Sequence, residues 1–158
     1  MKKKIKIAII DYNLSNLFSI NNALTSLKYN TVITSSKKDI DSSDLIVLPG
    51  VGAFNKAIMN LKKLKIFDHI QSLYIKNKPI LSICLGMQML FDSSDEFINT
   101  KGLSIINGKV NSFKHLDKNI IVPHVGWNNL KINSKNKKIN DIAGLKKILV
   151  KNEFYFIH

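Results

Sequence analysis

Short apolar runs that alternate with segments of helical spacing are the feature that most constrains the fold of this chain. Apolar residues cluster at 4–11, 45–48 and 80–83. Between these clusters, apolar side chains recur at intervals of three and four residues, as they do on one face of a helix. Strands that alternate with helices predict a mostly parallel sheet with helices on both faces. We therefore expect an α/β fold.

The two halves of the chain differ in pattern. In the first half, we expect strands at residues 4–11, 31–33, 45–48 and 80–83 and helices at 14–27, 53–61, 67–76 and 87–91. In the second half, short strand candidates at 110–113, 120–122, 130–132 and 154–157 are separated by polar turns, which is typical of a small antiparallel flap. The lysine-rich segment 131–140 is expected to be a loop. Because 45% of the 158 residues are apolar, the whole chain can form one core, and we expect a single domain at 1–158.

Cys84 is the only cysteine, and it lies where the expected strand 80–83 meets the expected helix 87–91. Ser82 and Gly86 flank it at two positions on either side, and a sharp strand-to-helix turn requires such small residues. This pattern is typical of a nucleophile elbow, whose helix start favours the thiolate. Together with Asp11 and Gly50, Cys84 falls at the carboxyl ends of strands, where parallel sheets bind ligands. The alternative is a buried cysteine that packs as a small hydrophobic residue.

The charge of the chain does not indicate a nucleic-acid-binding protein. Its formal net charge is +13, but all 24 basic residues are lysines that are spread along the sequence. Arginine, which grips phosphate and guanine with two parallel hydrogen bonds, is absent from the sequence. The apolar stretch at 7–10 is too short for a signal peptide or a membrane span, so no membrane association is expected. A single cysteine cannot form an internal disulfide, which favours a cytoplasmic location.

Four sequence blocks resemble the class I, triad-type glutamine amidotransferases. The blocks are residues 9–17, 48–54, 84–88 and 123–128, and they occur in the order found in the glutaminase subunits of imidazole glycerol phosphate synthase. The resemblance implies the class I glutamine amidotransferase fold and hydrolysis of glutamine to glutamate and ammonia. It also implies a heterodimer with the cyclase subunit, which uses the ammonia in histidine biosynthesis. The resemblance implies no metal and no organic cofactor.

The resemblance also assigns roles within the glutamine site. Cys84 is implied to be the nucleophile that forms a thioester, and the backbone N–H groups of Val51 and Leu85 are implied to form the oxyanion hole. The implied substrate-binding residues are Gly50, Gly52, Gln88, Glu96 and His158. Alternatives stay open for three of these positions. The glycine-containing segment 49–52 also fits an ordinary turn, Gln88 an exposed helix residue, and Glu96 a solvated loop acid.

A second group of residues is implied to face the cyclase partner. This group consists of Asp11, Asn16, His124, Trp127 and Asn128. Trp127 is the expected anchor of the interface, because an exposed tryptophan offers a large contact area and often dominates the binding energy. The alternative is a tryptophan buried in the core.

One part of the family pattern does not occur in the sequence. The resemblance implies a catalytic histidine and glutamate in a His-Pro-Glu motif, and no such motif occurs in the 158 residues. The C-terminal segment that closes the family fold is likewise expected to be lacking. Two interpretations stay open: a partial sequence of an ordinary glutaminase, or a truncated, catalytically dead interaction subunit that retains the docking face. Under both, we do not expect these 158 residues to hydrolyse glutamine at an enzymatic rate, even with the cyclase partner present.

Overall fold

The computed structural model of the chain describes residues 5–131 and 145–157. The chain divides into two compact units, Met1–Ser112 and Phe113–His158. Among the described residues, no helix is long and apolar enough to cross a membrane.

The first unit is built on a parallel four-stranded sheet. In chain order its elements are β1 (Lys6–Ile10), α1 (Leu17–Ser26), β2 (Asn30–Thr34), α2 (Lys37–Ser42), β3 (Leu45–Leu48), α3 (Phe54–Lys63), α4 (Phe67–Ile75), β4 (Ile80–Ser82) and α5 (Leu85–Gln88). The strand order is β2-β1-β3-β4, and all three neighbouring pairs are parallel. The predicted α/β fold with a mostly parallel sheet is therefore confirmed.

Both faces of the sheet are buried at β1 and β3, which explains why these two strands have nearly continuous apolar sequences. On one face, Ile10 and Leu48 pack in the main core with residues of α3 and α4 such as Ile58 and Ile70. On the other face, a smaller cluster of three buried side chains packs against residues of α1; the three are Ile7, Ile9 and Val47. The register pairs β1 with β3 and β3 with β4, so the carboxyl ends of these three strands lie side by side.

Two boundaries in the first unit differ from the sequence-based expectations. The expected helix 87–91 is wrong beyond Gln88, because α5 ends there and the chain enters β5 (Phe91–Ser94). This strand pairs with β6 (Thr100–Lys101) and with β7 (Ile106–Val110), which the helical spacing did not reveal. The helix expected at 14–27 begins later, at Leu17. Asn16 caps this helix through its Oδ1 atom, which accepts a hydrogen bond from the N–H of Ser19 at 3.2 Å.

The second unit contains a short antiparallel sheet. Its elements are a 3-10 turn (Phe113–His115), β8 (Val125–Asn129), α6 (Leu145–Lys151) and β9 (Glu153–Ile157), and β8 pairs with β9. The predicted antiparallel flap and the strand at 154–157 are confirmed. The strand predicted at 120–122 is wrong, because the N–H of Ile120 closes a turn onto the carbonyl of Asp117. The strand predicted at 130–132 is also misplaced, since β8 has already ended at Asn129. Most of the expected loop 131–140 lies outside the described residues.

Candidate active site

Cys84 occupies a tight turn between β4 and α5. Its backbone angles are φ 52° and ψ −117°, in a region that non-glycine residues rarely adopt. Residues held in such conformations cluster at active sites, and the nucleophile of an elbow is one example. The cysteine is exposed, so the alternative of a buried cysteine in the core is wrong. The predicted elbow geometry is present at the predicted residue.

Gly86 allows the elbow to approach the end of β3. A Cβ atom at this position would lie 1.9 Å from the carbonyl oxygen of Leu48 and 2.7 Å from its carbonyl carbon. Both of these are backbone atoms, so they have little freedom to move aside. A side chain at position 86 is therefore excluded, because α5 packs closely against the end of β3.

Leu85 places a backbone donor next to the nucleophile. It is the first residue of α5, and the first N–H groups of a helix have no acceptor within the helix. The Leu85 side chain is buried, which anchors this end of the turn in the core. The N–H of Gln88, one turn further on, donates to the carbonyl of Cys84 at 3.0 Å. The Gln88 side chain is half-buried on the same short helix.

The loop 49–53, which connects β3 to α3, contains two glycines with different structural needs. Gly50 is buried, and a Cβ atom there would lie 2.3 Å from the hydroxyl oxygen of Tyr12 and 2.9 Å from the backbone nitrogen of Gly86. Gly52 has φ +100°, which favours glycine, although a Cβ atom would find open space apart from Leu14 at 3.9 Å. Gly50 thus brings the loop into contact with the elbow, and Gly52 lets the loop turn.

The N–H of Val51 is already engaged in this structure. It donates a hydrogen bond to the carbonyl oxygen of Leu14 at 2.9 Å. The oxyanion role of Val51 stays a prediction, and it requires this hydrogen bond to open. The exposed Val51 side chain leaves room for the peptide to reorient.

Tyr12 is a component of the site that the sequence analysis missed. It follows β1, it is completely buried, and its hydroxyl donates a hydrogen bond of 2.5 Å to the carbonyl oxygen of Pro49. Burial raises the pKa of this hydroxyl, and the nearby charge of Cys84 raises it further. The available signal was its position beside Asp11 at the carboxyl end of the first strand.

Glu96 contacts the helix that follows the loop. Its Oε2 atom accepts a hydrogen bond of 2.7 Å from the N–H of Phe54, the first residue of α3. Glu96 is therefore not only solvated, because its carboxylate also accepts a hydrogen bond at the N-terminus of α3. Its predicted contact with glutamine stays a prediction. His158, the remaining predicted substrate residue, lies outside the described residues.

The predicted partner-facing residues divide between the two units. In the first unit, the Asp11 side chain accepts a hydrogen bond from the N–H of Asn13 at 3.0 Å, and Asn16 caps α1. In the second unit, His124 Nε2 and Asn128 Nδ2 lie 3.1 Å apart. The docking role of these residues stays a prediction.

Trp127 is exposed, which settles one of the alternatives. Its side chain is 65% exposed, and its ring makes an edge-to-face contact with Tyr155 at a centroid distance of 5.4 Å. The alternative of a core tryptophan is therefore wrong. Within residues 5–131 and 145–157, no group of three or more histidine, cysteine, aspartate or glutamate side chains is arranged to hold a metal ion.

Comparisons with known proteins match the chain to glutamine amidotransferases. The family Glutamine amidotransferase class-I matches residues 8–152. The chain is 42% identical over 155 residues to the imidazole glycerol phosphate synthase subunit HisH 2 of Vibrio vulnificus (strain YJ016), covering 97% of this chain and 69% of that protein. It is 44% identical over 126 residues to subunit HisH of Sulfurimonas denitrificans (strain ATCC 33889 / DSM 1251), covering 78% of this chain and 61% of that protein.

A solved structure gives the same result for the fold. A crystal structure of a glutamine amidotransferase matches with a TM-score of 0.69 at 12% sequence identity, covering 96% of this chain and 70% of that chain. At this identity the match supports the fold alone.

Proposed function

The chain belongs to the class I glutamine amidotransferase family, and we propose that it acts as the glutaminase subunit of imidazole glycerol phosphate synthase. Relatives that carry this subunit name, with identities around 40%, support the assignment. The observation that carries the proposal is the exposed Cys84 in a strained turn, with the loop 49–53 packed beside it.

In the proposed reaction, the Cys84 thiolate attacks the side-chain amide carbon of glutamine. A carbon–sulfur bond forms, and the carbonyl electron pair moves to the oxygen. When the tetrahedral intermediate collapses, the carbon–nitrogen bond breaks and the nitrogen leaves as ammonia after receiving a proton. Water then cleaves the thioester to give glutamate and the free thiol. In the family, the histidine of the His-Pro-Glu motif transfers these protons, and the 158 residues contain no such motif, so they supply the thiol and the oxyanion donors of the proposed step.

The surroundings of Cys84 fit the first of these steps. The N–H of Leu85 has no acceptor inside its own helix, so it is available to stabilise negative charge on the oxygen. We propose the N–H of Val51 as the second donor, after its hydrogen bond to Leu14 opens. Gln88 and Glu96 are proposed to contact the α-substituents of glutamine, and Gly50 and Gly52 to shape the wall of the pocket.

The product ammonia is proposed to pass to a cyclase subunit bound in a heterodimer. The exposed Trp127 and Tyr155, which form an aromatic pair on the β8–β9 sheet, supply contact area suited to a protein partner. His124 and Asn128 of the second unit, and separately Asp11 and Asn16 of the first unit, are also proposed to contact the cyclase. We further propose that the complex is cytoplasmic, since the single cysteine needs to stay reduced to act as a nucleophile.

Alkylation of Cys84 by a chloromethyl ketone analogue of glutamine tests the proposal. The protein, with its cyclase partner, is treated with the L-analogue, the D-analogue and iodoacetamide in parallel, and modification is followed by mass spectrometry. Because Cys84 is the only cysteine in this chain, thiol alkylation that adds to the mass of this chain is assigned to Cys84.

We expect the L-analogue to react faster than its mirror image, and L-glutamine to protect Cys84 where L-asparagine does not. Equal rates for the two analogues, or a lack of protection by glutamine, would contradict the proposed function. The iodoacetamide rate reports thiol reactivity without substrate recognition, so it serves as the control.

A further inference from the structure

Tyr12 joins three segments that come together beside Cys84. Tyr12 follows β1 in the chain, and its hydroxyl donates a hydrogen bond to the carbonyl oxygen of Pro49, which follows β3. A Cβ atom on Gly50 would lie only 2.3 Å from the same hydroxyl oxygen. The same Cβ atom would lie 2.9 Å from both the backbone nitrogen of Gly86 and the Cβ atom of Leu85. The loop therefore lies between the tyrosine hydroxyl and the elbow.

The hydrogen bond to Pro49 controls more than one atom of the loop. The carbonyl of Pro49 and the N–H of Gly50 belong to the same planar peptide unit, so fixing the oxygen also fixes the direction of that N–H. The next peptide unit carries the N–H of Val51. The orientation of the donors beside Cys84 thus depends on the anchor at Pro49.

Tyr12 is itself held firmly. Its side chain is fully buried, and its backbone carbonyl accepts a hydrogen bond of 2.8 Å from the side-chain amide of Asn60 on α3. Because burial raises the pKa of the hydroxyl, it stays protonated and remains a donor across the pH range in which proteins are active. A rigid donor at a fixed position is suited to orienting a flexible glycine-containing loop.

We propose that Tyr12 is a positioning residue for the glutaminase step, and that its hydroxyl, by holding the Pro49 carbonyl, sets the orientation of the loop 49–53 relative to Cys84. Tyr12 acts through the loop and does not touch the substrate. This inference rests on the proposed function, because the orientation of the loop matters to catalysis only if glutamine is the substrate.

Three replacements at residue 12 separate hydrogen bonding from packing. Tyr12→Phe removes the hydroxyl and leaves the ring. A 4-aminophenylalanine keeps a donor at nearly the same place, and a 4-methylphenylalanine fills the same volume without a donor. Tyr74→Phe is the matched control, since the Tyr74 side chain is 48% exposed on α4.

Each variant, with the cyclase partner, is assayed for the rate at which the L-glutamine chloromethyl ketone alkylates Cys84, and iodoacetamide provides the reference rate. We expect Tyr12→Phe and the methyl variant to slow alkylation by the glutamine analogue between about 10- and 100-fold, the range in which a displaced site loses rate. The amino variant should restore the rate, and the iodoacetamide rate should stay near that of wild type in all variants.

Wild-type rates for the methyl variant would overturn the positioning role, because packing alone would then suffice. If Tyr12→Phe does not fold, the alkylation rates of the amino and methyl variants are compared with each other, since both side chains fill nearly the same space as tyrosine and only the amino group is a donor. A wild-type protein that reacts with iodoacetamide but shows no preference for the L-glutamine analogue would overturn the proposed function, and this inference with it.

Discussion

The backbone N–H of Val51 donates its hydrogen bond to the carbonyl oxygen of Leu14, 2.9 Å away, in the segment between β1 and α1. This contact ties the loop beside Cys84 to the chain that follows the first strand. If the N–H of Val51 also donates to an oxyanion at Cys84, as proposed, the oxyanion competes with Leu14 for this donor. Removing this N–H alone would measure its contribution to the site.

Replacing the amide at residue 51 by an ester, with 2-hydroxyisovalerate in place of valine, deletes this donor and retains the side chain. If Val51 supplies an oxyanion donor, alkylation of Cys84 by the glutamine analogue should slow by about 10²–10³-fold, the usual effect of losing one such donor. The corresponding ester at residue 53, with lactate in place of alanine, is the control. An unchanged or faster rate at residue 51 would mean that the N–H serves only Leu14.

Gly86→Ala should destabilise the first unit strongly. The new methyl group would lie 1.9 Å from the Leu48 carbonyl oxygen, so the backbone must shift, and we expect a loss of about 3 kcal/mol in the free energy of unfolding. Gly52→Ala is the control for backbone strain alone, because it has φ +100° but open space, and should cost about 1–2 kcal/mol. Urea denaturation measures both, and equal losses would argue against the close packing described here.

Glu96→Ala should remove the acceptor at the start of α3. We expect a loss of about 1 kcal/mol in the free energy of unfolding, as for other helix N-terminal acceptors. Glu96→Gln keeps an oxygen that can accept from the N–H of Phe54 and should recover about half of that loss. If both variants are as stable as wild type, the contact contributes nothing to the fold.

Trp127→Ala should weaken binding of the cyclase subunit without unfolding the protein. An interface anchor costs about 2 kcal/mol or more in affinity when truncated, and a side chain that is 65% exposed adds little to the core. Isothermal titration gives the affinity and thermal unfolding gives the melting temperature. Ile75→Ala, which truncates a side chain that is 78% exposed on α4, is the control. An unchanged affinity of the Trp127 variant for the cyclase subunit would show that Trp127 is not part of the interface.

The stabilising effect of the Tyr12 hydroxyl should disappear in strong alkali. Because the pKa of Tyr12 is raised in the folded protein, the unfolded chain releases this proton first, and folding loses stability as the pH rises past about 10. The difference in free energy of unfolding between wild type and Tyr12→Phe should be constant below that pH and shrink above it. A difference that stays constant through alkaline pH would contradict the raised pKa.

The elements that the sequence predicted well are those whose signals are local. The apolar strands β1 and β3 and the elbow at Cys84 follow from runs, periodicity and small flanking residues. The early end of α5 at Gln88 depends on pairing of Phe91–Ser94 with a strand 15 residues or so further along, and helical spacing carries no information about such a partner.

The contacts within the candidate site were the least predictable part. The hydrogen bond from Tyr12 to Pro49 joins residues 37 positions apart, and the one from Phe54 to Glu96 joins residues 42 positions apart. The number of residues between the members of each pair gives no indication in the sequence that they are in contact. Tyr12 and Pro49 meet because the parallel sheet brings the carboxyl ends of β1 and β3 to one edge, whereas Glu96 reaches Phe54 from the turn between β5 and β6, in a separate sheet. The fold therefore had to be known before either contact could be found.

The backbone conformation of Cys84 sets stability against chemistry at one position. A cysteine with φ 52° and ψ −117° makes the chain less stable than a glycine would at the same turn, because a glycine reaches this conformation with less steric strain. If the thiol is the nucleophile, as proposed, the turn gives up some stability for its chemistry, which is the usual trade-off at an active site.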